Sequence, residues 1–383
     1  MTTASHRTAV PLKNGIPKIG HVDYPQDAPA GRRSSGESGA LPSGRTSHRD
    51  DDTIQDAPVA RALDLSGGKV LFVTSTGGHL TELHHLAPAM NAGRDSVWLT
   101  FDTEQSRSLL HDTTVRFIPY IGPRGYRATA RAVRLIRDII RADEPVAVVS
   151  TGAGVAISAF VAARLRGIPC HYIESVSRVE GPSMTGRLVA ALRLARPYTQ
   201  HAVWADRRWS AYPSVLSAYE ALAPTPAPAL EQSRGERPQL FVTLGTIRPY
   251  RFDALVDAVV ATGLADERTV WQLGSTTRED LPGRVVTSMT DEDFRSSCRD
   301  AEVVITHAGV GTVMTLLEMG IYPVVVPRRA ARGEHVDDHQ TQIAALLATE
   351  SLAEVREADD LPTASVRRVA GRRVRARSER QVA

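Results

Sequence analysis

The run QLFVTLGT, opening at Gln239, echoes the run KVLFVT, which opens at Lys69. Each copy is a short apolar strand leading into a glycine-bearing loop, and each starts a series of alternating strand-like and helix-like stretches. Nothing else in the chain restricts its fold as tightly. Strands alternating with helices build parallel sheet covered by helices on both faces. A second start after a break builds it twice. The break is LAPTPAPALEQSRGERP, residues 222–238, whose prolines and polar residues make a stiff linker. A chain of 383 residues has the length for two such domains.

The first domain is expected over residues 67–221, with strands KVLFVT, SVWLTF, VRFIP, VAVVS and HYIE and clear helices at 129–142 and 155–166. The second is expected over 239–361, with strands QLFVTLGT, TVWQLG, VVTSM, AEVVIT and IYPVVVP. Its helices fall at 252–260, 291–298, 310–319 and 337–347. Residues 1–66 hold one aromatic, Tyr24, among Gly, Pro, Ser and charge. Such a segment buries too little apolar surface to offset ordering entropy, so a disordered tail is expected there. Residues 362–383 are crowded with arginine and read as a basic, solvated C-terminal tail, or as a contact for an anionic surface.

Bulk composition excludes several classes. A formal net charge of +3 gives no footing for nucleic acid. Two cysteines, Cys170 and Cys298, build neither a disulfide scaffold nor a cysteine zinc site and suit a reducing, cytoplasmic setting. No basic-then-apolar leader opens the chain. The uncharged run VAVVSTGAGVAISAFVAA is broken by STGAG and reads as strand, glycine turn and buried helix rather than a membrane span.

In open α/β sheets ligands sit beyond the carboxyl ends of the strands. Three loops have that placement. In TSTGGHLTEL, Gly77 and Gly78 let backbone approach a ligand, and His79 at the helix start is a candidate general base; a plain strand-to-helix turn is the other reading. In LGTIRPY, Gly245 and Thr246 can offer amides and a hydroxyl to phosphate, with Arg248 a further cation. In THAGVGT, Gly309 and Gly311 expose amides at a helix N-terminus suited to a diphosphate, and His307 and Thr312 add side-chain hydrogen bonds. Glu318 lies about 9 Å further along that helix, at about 1.5 Å per residue, where a carboxylate can accept both hydroxyls of a ribose. One helix thereby holds a nucleoside diphosphate at both ends. TDEDF carries Asp291 and Asp293 at the spacing of a metal-binding pair, but its setting reads better as an acidic helix cap, so no metal site and no cofactor are expected.

With those residues in view, the chain resembles the GT-B glycosyltransferases of family 28, which includes the peptidoglycan GlcNAc transferase MurG. The resemblance is strongest to the two-subunit transferases of dolichol-linked glycan synthesis and their bacterial exopolysaccharide relatives. STGGH and YIESVSRV match the acceptor-side subunit, while VTLGT, ITHAGVGT and VVVPRRAARGEHVDDHQ match the donor-side subunit. The chain thus looks like both subunits fused. The resemblance implies two Rossmann-like domains facing each other across a cleft. It implies a UDP-sugar donor, with His307, Gly309, Gly311 and Thr312 on the diphosphate, Glu318 on the ribose, and His339 and Gln340 on the donor sugar. Its histidine at 339 departs from the carboxylate often found there. On the acceptor side it implies Gly77, Gly78 and Arg178, with His79 or Glu174 as the catalytic base.

The expected reaction is inverting, metal-independent transfer onto a polyprenyl-diphosphate-linked glycan at the inner face of the cell membrane. The stripe of Met184, Leu188, Leu192 and Ala195 fits either peripheral contact with anionic membrane or a buried core face. A nucleotide-sugar epimerase of similar build and a non-catalytic UDP-sugar-binding subunit are the rival readings.

Overall fold

The structure is a computed structural model and describes residues 60–121, 126–223, 237–245 and 249–377, with no side-chain description for 126–128. Most of the expected N-terminal tail and linker lie outside the described residues, as do Thr246 and Arg248.

The first sheet contains β1 (Val70–Val73), β2 (Val97–Phe101), β3 (Thr114–Ile118), β4 (Ala147–Ser150), β5 (Cys170–Ile173), β6 (Arg196–Thr199) and β7 (Ser210–Ala211). Its order is β3-β2-β1-β4-β5-β6-β7, parallel throughout. Its central strands β1 and β4 are buried along their whole length. That is why they read as unbroken apolar runs rather than alternating ones. Helices α1 (Gly78–Leu86), α2 (Glu104–Leu109), α3 (Tyr126–Asp143), α4 (Gly154–Arg164) and α5 (Met184–Ala191) follow successive strands. On α3, Ala132, Ile136 and Ile140 recur every four residues and are buried against α4, while Arg131, Arg134 and Arg141 are exposed.

The second sheet contains β9 (Leu240–Thr243), β10 (Val270–Gln272), β11 (Arg284–Val286), β12 (Val303–His307), β13 (Val324–Val326) and β14 (Glu354–Val355) in the order β11-β10-β9-β12-β13-β14. These strands too are all parallel. Helices α6 (Asp253–Ala261), α7 (Asp291–Asp300), α8 (Val310–Glu318) and α9 (His339–Thr349) cover it. Both sheets switch direction between their first strand and the strand beside it, β1/β4 and β9/β12. That reversal opens a crevice where ligands bind.

The arginine-rich stretch departs from the solvated tail expected over 362–383. Residues 363–376 form α10 (Thr363–Val369) and β15 (Val374–Ala376), and β15 pairs antiparallel with β8 (Tyr219–Ala221) at the end of the first domain. The cause is an apolar stripe hidden among the charges: Val366, Val369 and Val374 are buried. The arginines find partners around it. Arg372 lies over the Tyr322 ring at 3.7 Å, and Arg368 and Arg375 pair with Glu354 and Glu220. Among the described residues no helix is long and apolar enough to cross a membrane.

Candidate active site

The two direction-switch points face each other. Helix α1 of the first domain and α8 of the second pack N-terminus against N-terminus, and glycine makes the approach possible. A Cβ added at Gly78 would stand 3.3 Å from the Gly311 nitrogen, and one at Gly311 would stand 3.3 Å from the Gly78 backbone. Around this contact runs a cleft of about 1690 Å³. Gly77, Gly78, His79, Glu174, Arg178, Gly245, His307, Gly309, Gly311, Thr312, Glu318, His339 and Gln340 all line it, so every described candidate meets in one place. Each helix presents free N–H groups and the positive end of its dipole, which favours anionic ligands.

In the second domain His307 closes β12 with its ring set in a niche between Gly245 and Gly309. Gly245 adopts φ +72°, and a side chain at either glycine would collide with the imidazole. Burial and the nearby Arg328 guanidinium push His307 down to about 3, so it is a neutral hydrogen-bonding group at ordinary pH. Arg328 is itself buried and donates to the carbonyls of Leu244 (2.7 Å), Arg251 (3.0 Å) and Glu334 (3.2 Å). It therefore ties the segments on both sides of Gly245 to the loop before α9. Gln340 is anchored in turn, its Oε1 accepting the Arg328 N–H at 3.1 Å. At the far end of α8, Glu318 is exposed, with Arg295 of α7 at 3.6 Å and His85 of α1 at 4.0 Å.

The first-domain side carries His79 and Glu174. His79 stands against Gly152, whose added Cβ would lie 3.0 Å from the ring. Its Nδ1 is buried without a partner, and burial, helped by Arg178 and His339, pushes it down to about 4. Glu174 is fully engaged. One oxygen accepts the Tyr172 hydroxyl (3.0 Å) and the Ser175 N–H (3.2 Å); the other accepts the Ser183 N–H (2.9 Å) and hydroxyl (3.0 Å). These bonds clamp the start of α5 onto β5, and burial raises the carboxyl above its ordinary value. Arg178 bridges the cleft to Asp337 at 3.3 Å, and Glu180 accepts the Gln342 amide at 3.0 Å.

Asp291 and Asp293 are first-turn residues of α7, capped by Thr290: the Thr290 hydroxyl accepts the Asp293 N–H at 3.1 Å, and Asp291 pairs with Arg295 at 2.9 Å. The sequence reading passed over a different cluster. His335, Asp337 and His339 bring one ligand atom each within 4.8 Å of one another, and are the described residues best arranged to hold a cation. Their alternate spacing in HVDDH was the available signal. Asp337 already serves Arg178 and accepts from the His339 ring, so the cluster is satisfied as an ion-pair hub. Glu82, buried on α1, is a second residue missed, because its position in the helix looks like any surface glutamate. The stripe on α5 is exposed, with Met184 81%, Leu188 41% and Leu192 58% accessible, which removes the buried-face reading for these three residues.

Against known proteins, the glycosyltransferase family 28 C-terminal domain matches residues 262–370. The UDP-N-acetylglucosamine–N-acetylmuramyl-(pentapeptide) pyrophosphoryl-undecaprenol N-acetylglucosamine transferase of Xanthomonas axonopodis pv. citri (strain 306) is similar, at 27% identity over 320 residues. The match spans 76% of this chain and 71% of that one. Its counterpart from Shewanella loihica is 26% identical over 319 residues, 75% of this chain and 80% of that one. Among solved structures, MurG of Acinetobacter baumannii is similar over 78% of this chain and 88% of its own, at 19% identity and a TM-score of 0.48.

Proposed function

We propose that this chain is a GT-B glycosyltransferase of family 28, a reading supported by its family 28 C-terminal match and its similar transferases, and that it moves a sugar from a UDP-sugar onto a lipid-linked acceptor in cell-envelope synthesis. The finer reading is an inverting transfer onto a polyprenyl-diphosphate-linked glycan of an exopolysaccharide or envelope polysaccharide. One observation carries it: helix N-termini from two domains converge on one cleft, with a neutral histidine beside each. A binding subunit would need only the donor half of that arrangement.

In this reading the donor diphosphate lies on the amides of Gly309, Gly311 and Gly245, with Thr312 and His307 adding hydrogen bonds. Glu318 takes the ribose, exchanging Arg295 for its hydroxyls. His339 and Gln340 face the sugar. The acceptor hydroxyl approaches past Gly77 and Gly78 and gives its proton to His79, since all of Glu174's hydrogen bonding is already committed. The oxygen attacks the anomeric carbon on the face opposite the diphosphate, and the bond to UDP breaks as its charge falls on the α8 amides. Fixed donors of this kind do the work a metal would otherwise do. The exposed apolar stripe of α5 begins at Met184 on the cleft rim, which supports a lipid-bearing acceptor and peripheral contact with the cytoplasmic membrane face.

The test is incubation with candidate UDP-sugars, with and without a polyprenyl-diphosphate sugar. Acceptor-dependent UDP release with a glycosylated lipid product supports the reading. A changed sugar nucleotide without acceptor means an epimerase, and binding without turnover means a regulatory subunit.

A further inference from the structure

Glu82 lies one turn beyond His79 on α1 and has no exposed surface. Its Oε1 accepts the Val176 N–H at 2.6 Å and the Gln200 side-chain amide at 2.5 Å. Its Oε2 is buried without a partner. Gln200 extends the same network, donating to the Glu174 carbonyl at 3.0 Å and accepting the Val215 N–H at 2.8 Å. His201 meets the Val176 carbonyl at 2.7 Å. The segment 174–178 leaves the end of β5 and runs past the cleft, so a carboxyl reaching out from α1 is one of its main supports. At the segment's end Arg178 crosses to Asp337, which in turn holds His339.

We propose that Glu82 is a positioning residue for transfer: by gripping Val176 it fixes the 174–178 segment and sets Arg178 and Asp337 opposite His79. The proposal rests on the transfer reading above. Hydrogen bonds surround the carboxyl, but among the described residues no cation pairs with it. Its titratable neighbours are Glu174 and Tyr172 from the β5 side and His79 on its own helix, while His201 is turned to the Val176 carbonyl. Glu174 opposes a second charge, and the Tyr172 phenol is held far above its ordinary value by burial and by both carboxyls. Burial accordingly pushes Glu82 up to about 7. The uncharged acid is the form that suits the site; ionisation leaves a charge buried beside Ser175 and Gln200 with no cation among the described residues to offset it.

Two substitutions in the full chain test this. Glu82→Ala deletes the grip and is expected to lower kcat about 10- to 100-fold by misplacing groups across the cleft, with UDP affinity unchanged by calorimetry. Glu82→Gln keeps an acceptor for Val176 and cannot ionise. It is expected to retain kcat within about threefold near pH 6 and to lose the fall in activity that the parent undergoes above about pH 7. The thermal readout follows the same sign. A carboxyl raised in the fold stabilises fully below its unfolded value near 4.5 and loses that contribution as pH rises through about 7. Glu82→Gln should therefore gain on the parent in Tm between about pH 5 and about pH 8. A folded Glu82→Ala with full kcat overturns the proposal, as does a Glu82→Gln as slow as Glu82→Ala. If Glu82→Ala does not fold, an unaltered alkaline limb in Glu82→Gln overturns it. Failure of the transfer reading shows differently, as a parent that transfers no sugar at all, and the proposal falls with it.

Discussion

The loops before α1 and α8 are built alike but surrounded differently. Each follows a buried parallel strand, each carries two glycines and a histidine, and each delivers a helix N-terminus to the same cleft. In the first domain the histidine follows the glycines and rides on the helix; in the second it precedes them and closes the strand. The carboxylates of the two helices also part ways. Glu82 points inward and braces a neighbouring segment, whereas Glu318 stands exposed at the cleft rim. An inward carboxyl makes α1 a fixed platform for reactive groups. An outward one leaves α8 a free hand for a ligand. In the proposed reading, one architectural unit serves proton transfer on one side and nucleotide binding on the other.

The sharpest way to break this division is His79→Ala. A general base contributes about 10²–10⁴-fold, so kcat should fall by that order while UDP affinity holds; a loss under about threefold would take the base role from α1. In the parent, the acid limb of kcat/KM should lie near pH 4 rather than near 6.5, because burial keeps His79 uncharged above about 4. Next comes Glu318→Ala. Losing the ribose hydrogen bonds should weaken UDP by about 1–3 kcal/mol, read by calorimetry, with little change in kcat. Unchanged affinity in a folded variant would remove the nucleotide grip from α8.

Gly311→Ala sharpens the comparison at the point where the two loops touch. The added methyl meets the Gly78 backbone at 3.3 Å, and backbone has little room to yield. Overpacking of this kind costs about 1–3 kcal/mol, which should appear as lower kcat and higher KM together, since both sides of the cleft are displaced. Intact kinetics would mean that the two helices separate during turnover. The smallest expected effect is none: chelation with EDTA should leave transfer at its starting rate. Strict dependence on an added divalent ion would shift attention to His335, Asp337 and His339.

Sequence revealed the strands buried along their length, such as VLFV and VVITH, together with the largely exposed β3 and β11. Most of those it hid were interrupted by charge or proline. β6 reads RPYT, and its place in the sheet comes from tertiary pairing with β5 rather than from local pattern. The C-terminal arginine block hid α10 and β15 in the same way, since three buried valines do not stand out among seven arginines. Within the cleft, glycine loops and their histidines were legible because few other residues permit such close backbone approach. Glu82 and Asp337 were not. Their importance lies in what they touch across the fold, Val176 and Arg178, and a helix-surface pattern carries no trace of contacts so distant in sequence.

The antiparallel pairing of β15 with β8 has a mechanical meaning. The polypeptide leaves for the second domain just after β8 and comes back along it as β15, so outgoing and returning strands run side by side, zipped by backbone hydrogen bonds. The second domain is thus joined to the first by two paired chain segments as well as by the α1–α8 packing. A ribbon bends easily across its flat face and resists shear along its length, so the cleft should open by a rocking motion with a preferred axis. Cutting the proline-rich connection would sever one segment only; the other would still moor the halves, and the last residues of β15 would govern how firmly they rejoin.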